Sequence, residues 1–371
     1  MNATELTREL VRYETINPPG SEKPCAEYLG AILADAGFRV AYDALDASRA
    51  SLVADVAGSE DTPPLCLTGH LDTVPLGEAP WRTPPLAGET DGDRLYGRGT
   101  TDMKSGVAAM AIAAIQAIQR GNLRRGLKLV FTAGEETGCD GAKHLAHSPE
   151  MLGNAGAVVV GEPTRNTPFI GHKGALWLRA STSGKSAHGS MPEQGDNAIY
   201  KAARAVAQLE MLKIDSPQHP LLGNPTLNVG TISGGSSPNL VPDRALIGID
   251  IRSVPGQSHD EIVAQLQREL GESVDIQRLV DIEGLYTEGD HPWVTSVCSL
   301  VQEIRGEPVE PASATYFTDG PVLAKAFGHP PTLILGPGEP TMAHQTDEYC
   351  SLSRIEESTE IYARIIQNWS F

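Results

Sequence analysis

The sequence predicts an α/β protein, in which a mostly parallel, three-layer domain is interrupted by an inserted α+β domain of two layers, an antiparallel sheet with two helices. Three observations carry this. Short apolar runs alternate with helical periods in the first part of the chain. Several of those runs end in His, Asp or Glu. Near Ala175 the texture changes to alternating strands, and the first pattern returns after His291. A chain of 371 residues exceeds what one core usually buries, so two domains are expected: 1–175 with 290–371, and 176–289 inserted between them.

Taken in order, Thr4 to Tyr13 and Cys25 to Ala36 have helical apolar spacing and are separated by the turn Asn17-Pro18-Pro19-Gly20. Ser51 to Val56 is a short strand. Pro64 to Gly69 is an apolar run that delivers His70 and Asp72 at its carboxyl end, as a buried strand does. Met103 to Gln119, rich in Ala, Ile and Met, is a buried helix. Leu127 to Phe131 runs into Gly134-Glu135-Glu136-Thr137-Gly138, and Ala157 to Val160 runs into Gly161-Glu162-Pro163-Thr164. In the inserted domain Leu176 to Ala180, Thr226 to Ile232 and Ala245 to Arg252 alternate as strands, while Asn197 to Leu212 and Ser258 to Gly271 have helical periodicity. A helix from Trp293 to Arg305, a strand from Thr332 to Gly336 and a helix from Ser353 to Trp369 complete the first domain.

Composition removes several classes of function. Acidic residues outnumber basic ones 47 to 29, a formal charge of −18 that repels phosphate backbones and anionic lipid, so neither nucleic acid nor a membrane is an expected partner. The opening MNATELTRELVRYETI places charges where a secretory signal needs an apolar run, and no stretch approaches a membrane span of about 20 residues. A cytoplasmic location is expected. The five cysteines are dispersed, without a CxxC pair, and read as reduced thiols.

His70 with Asp72, Asp102, Glu135 with Glu136, Glu162 and His344 each stand at the end of a predicted strand or in the loop after one. In a doubly wound sheet such ends converge on one crevice. Two imidazoles with several carboxylates suit zinc or a similar divalent ion. A carboxylate shared between two ions would hold them about 3.5 to 4 Å apart. One strand-end His or Asp alone is more often a cap or a solvated polar group. The joint occurrence points to metal, because neither His70 to Asp72 nor Glu135 to Glu136 contains a Lys or Arg, and such carboxylates repel one another without cations. Adjacent glutamates need different tasks, one binding metal while the other moves protons. Asp72, two residues from His70, is on the side of an extended chain from which it can accept a ring N–H. Other features carry less. Tyr96 to Asp102 lacks the third glycine of a dinucleotide fingerprint, and Ser105, Ser186 and Ser236 form no G-x-S-x-G elbow. Gly230 to Ser237 reads equally as a plain turn or a substrate-facing loop, with Asn239 and Arg252 nearby.

In these residues the chain resembles the M20 family of metallopeptidases and amidohydrolases. The matching stretches are Gly69 to Pro75, Gly97 to Gly106, Gly134 to Gly138, Gly161 to Thr164, and Gly336-Pro337-Gly338 followed by Ala343 to Tyr349. Within the family the closest likeness is to the deacylases of N-acetylornithine and N-succinyl-diaminopimelate. The resemblance implies two divalent ions, zinc first, with cobalt or manganese as alternatives. It makes Asp102 the bridging ligand, with His70 and Glu162 completing one site and Glu136 and His344 the other. Glu135 becomes the general base and acid, and Asp72 the partner of His70. The inserted domain becomes a lid that mediates a homodimer, with His188 reaching the other subunit's site. Asn239 and Arg252 become substrate contacts, Arg252 through a carboxylate. The implied reaction is hydrolysis of the amide bond of a small N-acyl-L-amino acid such as N-acetyl-L-ornithine. N-succinyl-diaminopimelate, a dipeptide or a carboxypeptidase substrate, and a non-catalytic binding module on the same fold stay open as alternatives.

Overall fold

Leu65–His70 and Leu127–Thr132 are buried at every position and are mostly apolar in sequence, and the two pair in parallel with His70 opposite Thr132. They form the middle of a sheet ordered Arg39–Ala44, Ala50–Val56, Leu127–Thr132, Leu65–His70, Ala157–Val160, Thr332–Ile334, Phe169–His172, Leu285–Tyr286, with Ala312–Ala314 paired to Phe169–His172. The four strands from Leu127–Thr132 to Thr332–Ile334 are parallel. The flanking pairs Arg39–Ala44 with Ala50–Val56, Ala50–Val56 with Leu127–Thr132, and Thr332–Ile334 with Phe169–His172 are antiparallel.

The computed structural model describes residues 1–121, 123–216 and 218–370, and they fall into two units. The first comprises Met1–Gly171, Tyr286–Ala314 and the segment from Thr318 onward. The second comprises His172–Leu285 and Thr315–Phe317. In the first unit Ser105–Arg120 packs with Ala3–Val11 and Leu352–Ser370 into one helical layer, and Asp140–Ala146 packs with Gly320–Ala326 into another. Ser105–Arg120 owes its burial to small and flexible apolar residues, and it ends at Gly121, whose φ of 75° suits glycine. A Cβ on Gly106, in its first turn, would lie 2.2 Å from the Gly161 carbonyl oxygen, so glycine is what lets this helix approach the end of Ala157–Val160.

The second unit has a four-stranded antiparallel sheet ordered Thr226–Gly234, Arg244–Arg252, Ala175–Ser183, Val274–Ile282. Leu176, Leu178 and Ala180 alternate toward one face with Ala245, Ile247, Ile249 and Ile251, and the helices Ala198–Met211 and His259–Leu270 cover that face. Asn197 and Ser258 cap these helices by accepting from the amides of Tyr200 and Glu261.

Several strands go beyond the sequence expectation, among them the short Glu89–Asp91, Arg94–Tyr96, Leu285–Tyr286, Ala312–Ala314 and Tyr349–Ser351, and three longer ones. Arg39–Ala44 is an edge strand with mostly exposed or half-buried positions. Phe169–His172 is only four residues long. Val274–Ile282 carries an irregularity between Arg278 and Val280 that breaks the alternation and leaves Leu279 exposed. All five cysteines are free, four of them buried. Among the described residues no helix is long and apolar enough to cross a membrane.

Candidate functional site

The parallel strands of the first unit bring the predicted groups together. His70 ends Leu65–His70, Glu135 and Glu136 follow Leu127–Thr132, and Glu162 follows Ala157–Val160. Asp102 enters from the irregular turn before Ser105–Arg120, and His344 from the loop before Tyr349–Ser351. Two clusters result, His70 with Asp102 and Glu162, and Asp102 with Glu136 and His344; within each, the candidate ligand atoms all lie within 4.8 Å of one another. Asp102 belongs to both. Its Oδ1 is 3.0 Å from His70 Nε2, and its Oδ2 is 3.4 Å from His344 Nε2. Glu162 Oε1 is 3.7 Å from His70 Nε2, and Glu136 Oε2 is 3.2 Å from His344 Nε2.

Backbone geometry sets the His70 tautomer. Its Nδ1 lies 3.0 Å from the Asp72 carbonyl oxygen, which can only accept, so Nδ1 carries a proton and Nε2 is the nitrogen that a cation would take. The Asp72 carboxylate is 3.5 Å from the same nitrogen and has a second task. Its Oδ1 accepts the amide of Glu135 at 3.1 Å, and its Oδ2 accepts the amide of Glu136 at 3.2 Å and Asn17 Nδ2 at 3.0 Å. One buried carboxylate thus fixes the loop that carries both glutamates. Asn17 also donates to Thr137 Oγ1 at 3.0 Å, so the turn at residues 17–20 supports the site from a distance of 120 residues in sequence.

The charge balance explains the protonation of these groups. Burial opposes charge on His70, but the Glu162, Asp102 and Asp72 carboxylates outweigh it and hold the ring well above its ordinary value. Hydrogen bonds to Asp102 and Glu136 raise His344 to about 10. Burial would raise Asp102, yet the His344 and His70 rings hold it below the usual carboxylate range. Burial, with the neighbouring acids adding to it, pushes Glu136 up and Glu135 and Glu162 well up. Glu135 Oε1 and Glu136 Oε1 are buried without a hydrogen-bond partner. Orphaned carboxylate oxygens beside imidazoles that hold protons suit divalent cations, which would replace those protons and satisfy the oxygens. The residues present therefore fit a metal centre.

The remaining predicted site residues lie in the second unit. His188 is exposed; its Nδ1 accepts the Ser190 amide at 3.2 Å, which leaves Nε2 as the N–H donor. Asn239 is exposed and its Oδ1 accepts from Ser237 Oγ. Arg252 is half-buried and turns its Nε and Nη2 edge to Asp250, with bonds of 3.3 and 3.1 Å. Sequence reasoning passed over Asn17, Glu348 and Asp319. Asp319 is a buried carboxyl, raised to about 6 by burial, that accepts from Thr132 Oγ1 at 2.5 Å. The only local hint at Glu348 was its place in the stretch after His344; Asn17 and Asp319 act over distances that no local pattern records.

Two imidazoles and four carboxylates gathered beside the strand ends of one sheet suit a metal-binding hydrolase. The sequence profile of peptidase family M20/M25/M40 matches residues 66–368. The chain belongs to this family, as an M20 metallopeptidase/amidohydrolase. It is 34% identical over 350 residues to acetylornithine deacetylase of Aliivibrio fischeri, covering 91% of this chain and 89% of that one. It is 30% identical over 359 residues to acetylornithine deacetylase of Vibrio cholerae, covering 93% and 90%. Its fold is similar to an M20 family metallo-carboxypeptidase from Sulfolobus solfataricus, with a TM-score of 0.85, 18% identity and 99% of both chains covered. It is also similar to a dinuclear metal-binding peptidase of the M20 family from Bacillus subtilis, with a TM-score of 0.72, 14% identity and coverage of 99% and 97%.

The surrounding carboxylates raise the proton affinity of both imidazoles, and a ring must give up the proton on its coordinating nitrogen to become a ligand. Zinc uptake by the metal-free protein should therefore release protons from the imidazoles. Calorimetric titration in two buffers of different ionisation enthalpy measures their number. His344→Ala should lower it by about one, and uptake without proton release would contradict the ligand set.

Proposed function

We propose that the protein hydrolyses the amide bond of a small N-acyl-L-amino acid, with N-acetyl-L-ornithine as the leading substrate. The observation that carries this reading is the pair of donor clusters sharing Asp102, with the unpartnered Glu135 carboxylate beside them. The relatives named acetylornithine deacetylase, at 30 to 34% identity over about nine-tenths of both chains, support the choice of acyl amino acid. His70, Asp102 and Glu162 would hold one divalent ion and Asp102, Glu136 and His344 the other, with zinc first and cobalt or manganese as alternatives. Bound there, two such ions would polarise the amide carbonyl and lower the pKa of the attacking water.

In this reading Glu135 takes the proton of the attacking water and passes it to the nitrogen of the departing amine, which must leave protonated. Its elevated proton affinity, caused chiefly by burial, suits a group that both accepts and returns a proton. Asp72 keeps that carboxylate in place through the Glu135 amide. Asp250 occupies the Nε–Nη2 edge of Arg252, so a substrate carboxylate would take the Nη1–Nη2 edge in a bidentate grip. Asn239 would supply a further polar contact to the substrate. The Nε2–H of His188 would serve the developing oxyanion. The five free thiols are in keeping with a cytoplasmic enzyme.

The second unit is also read as a lid that forms a homodimer and supplies His188 in trans. Its strand Thr226–Gly234 lies at a sheet edge, and Tyr200, Met211, Ile232 and Leu240 are exposed on the same unit.

Three outcomes test these assignments. Glu135→Gln should lower turnover by about three or more orders of magnitude while both metals stay bound, whereas Glu136→Gln should weaken one metal site. Elemental analysis after dialysis distinguishes them, and loss of both ions from the Glu135 variant would reverse the pair. A panel of N-acetyl, N-succinyl and N-carbamoyl amino acids and dipeptides, ranked by kcat/KM, should favour the N-acetyl compounds. A dipeptide preference above about a hundredfold, roughly 2.7 kcal/mol, would make the protein a peptidase instead. Mixing inactive Glu135→Gln and His188→Ala proteins should restore activity if subunits exchange, and a monomer by sedimentation with full turnover would end the proposal of His188 acting in trans.

A further inference from the structure

Glu348 lies four residues after His344, is completely buried, and belongs to neither donor cluster. Its carboxylate is spent instead on the loop that carries Asp102. Oε1 accepts the amides of Thr101 at 2.8 Å and Asp102 at 3.1 Å. Oε2 accepts the amide of Gly99 at 3.1 Å and Arg98 Nη1 at 2.6 Å. Four donors use the full accepting capacity of one carboxylate. The loop needs such a partner: Gly99 is left-handed, and Asp102 and Met103 have non-helical backbone, so its buried amides lack a regular ladder.

Further bonds run between the same two segments. Glu348 accepts the Gly97 amide on its own carbonyl at 2.9 Å, and Thr101 Oγ1 donates to the Tyr349 carbonyl at 2.6 Å. Arg98 Nη1 donates to the Gln345 carbonyl at 3.3 Å, one residue after His344, and its Nη2 donates to the Pro75 carbonyl at 3.1 Å. His344 touches Asp102 and Glu136 through its ring but stands on an exposed loop. Its side chain is 51% exposed and its backbone is left-handed, with φ of 64°. Its position depends on the segment that follows.

We propose that Glu348 is a positioning residue for the candidate metal site of Asp102, Glu136 and His344, by fastening the Asp102 loop to the segment that carries His344. This rests on the two-metal reading above. Asp102 contributes to both sites, but only the site of Asp102, Glu136 and His344 takes ligands from both fastened segments. Loosening the fastening therefore weakens that site selectively. Gln at this position turns an NH2 group toward loop N–H donors, whichever way the amide is rotated. Asp keeps the charge that faces Arg98 but is one methylene too short to serve all four donors.

The test compares wild type, Glu348→Gln and Glu348→Asp as full-length metal-free proteins, titrated with zinc in competition with a chelator, alongside thermal melts of the same samples. Wild type should take two ions. Glu348→Gln should keep the first near wild-type affinity and bind the second about 10- to 100-fold more weakly, with Glu348→Asp between them. Should Glu348→Gln not fold, Thr101→Val removes the bond to Tyr349 while sparing Glu348, and it should weaken the second ion in the same direction by less. Two ions bound at wild-type affinity by a variant whose metal-free melt has dropped would overturn the proposal and leave Glu348 a stabilising residue only. An equal loss at both sites would overturn the selectivity. Wild-type protein that takes up no zinc would overturn the two-metal reading and this inference with it.

Discussion

Asp102, Glu135, Glu136 and Glu162 crowd into the strand-end crevice with Asp72 behind them, and the groups that face them there are the imidazoles of His70 and His344. Carboxylates buried at this density repel one another strongly, and a buried charge without compensation costs several kcal/mol. In the metal-free site this crowding raises the proton affinity of both rings and of Glu135 and Glu162. Two divalent cations would meet that cost, with Asp102 facing one cluster through Oδ1 and the other through Oδ2. The same negative excess that disfavours the empty site would favour doubly charged ions.

A site of this kind demands backbone precision, because the oxygen and nitrogen donors tolerate errors of only a few tenths of an ångström. Parallel strands buried on both faces provide rigid ends for His70, Glu135, Glu136 and Glu162. Close approach is made possible by missing side chains: a Cβ on Gly336 would lie 2.1 Å from the Gly161 carbonyl oxygen, next to Glu162. Acidic residues outside the two donor clusters organise the loops. Asp72 holds the Glu135 and Glu136 amides, and Glu348 holds those of Gly99, Thr101 and Asp102. Both use charge-assisted bonds, which are shorter and stronger than neutral ones and resist local fluctuation.

The second unit is built by a different rule. Its antiparallel sheet is apolar on the face that the two helices cover and polar on the other, where Asp250 and Arg252 sit two residues apart on one strand. That arrangement permits a charged pair without burying it fully.

Much of this was legible in the residues alone. Mostly apolar runs at Leu65–His70 and Leu127–Thr132 announced buried strands, alternation from Ala245 to Arg252 announced a sheet covered on one face, and polar groups at strand ends announced a candidate metal site, because each follows from local sequence pattern. The bulged strand Val274–Ile282 was not legible, since its alternation fails where the register shifts. Nor were the supports of the site. Asn17 meets Asp72 across 55 residues, Thr132 meets Asp319 across 187, and Glu348 meets the Asp102 loop across 246 to 250. Sequence by itself determined which groups stand at strand ends and which chemistry they suit. Tertiary structure alone decided which buried carboxylates bind one another's loops, because a carboxylate filled by backbone amides and one left open for a cation are the same residue until the chain has folded around it.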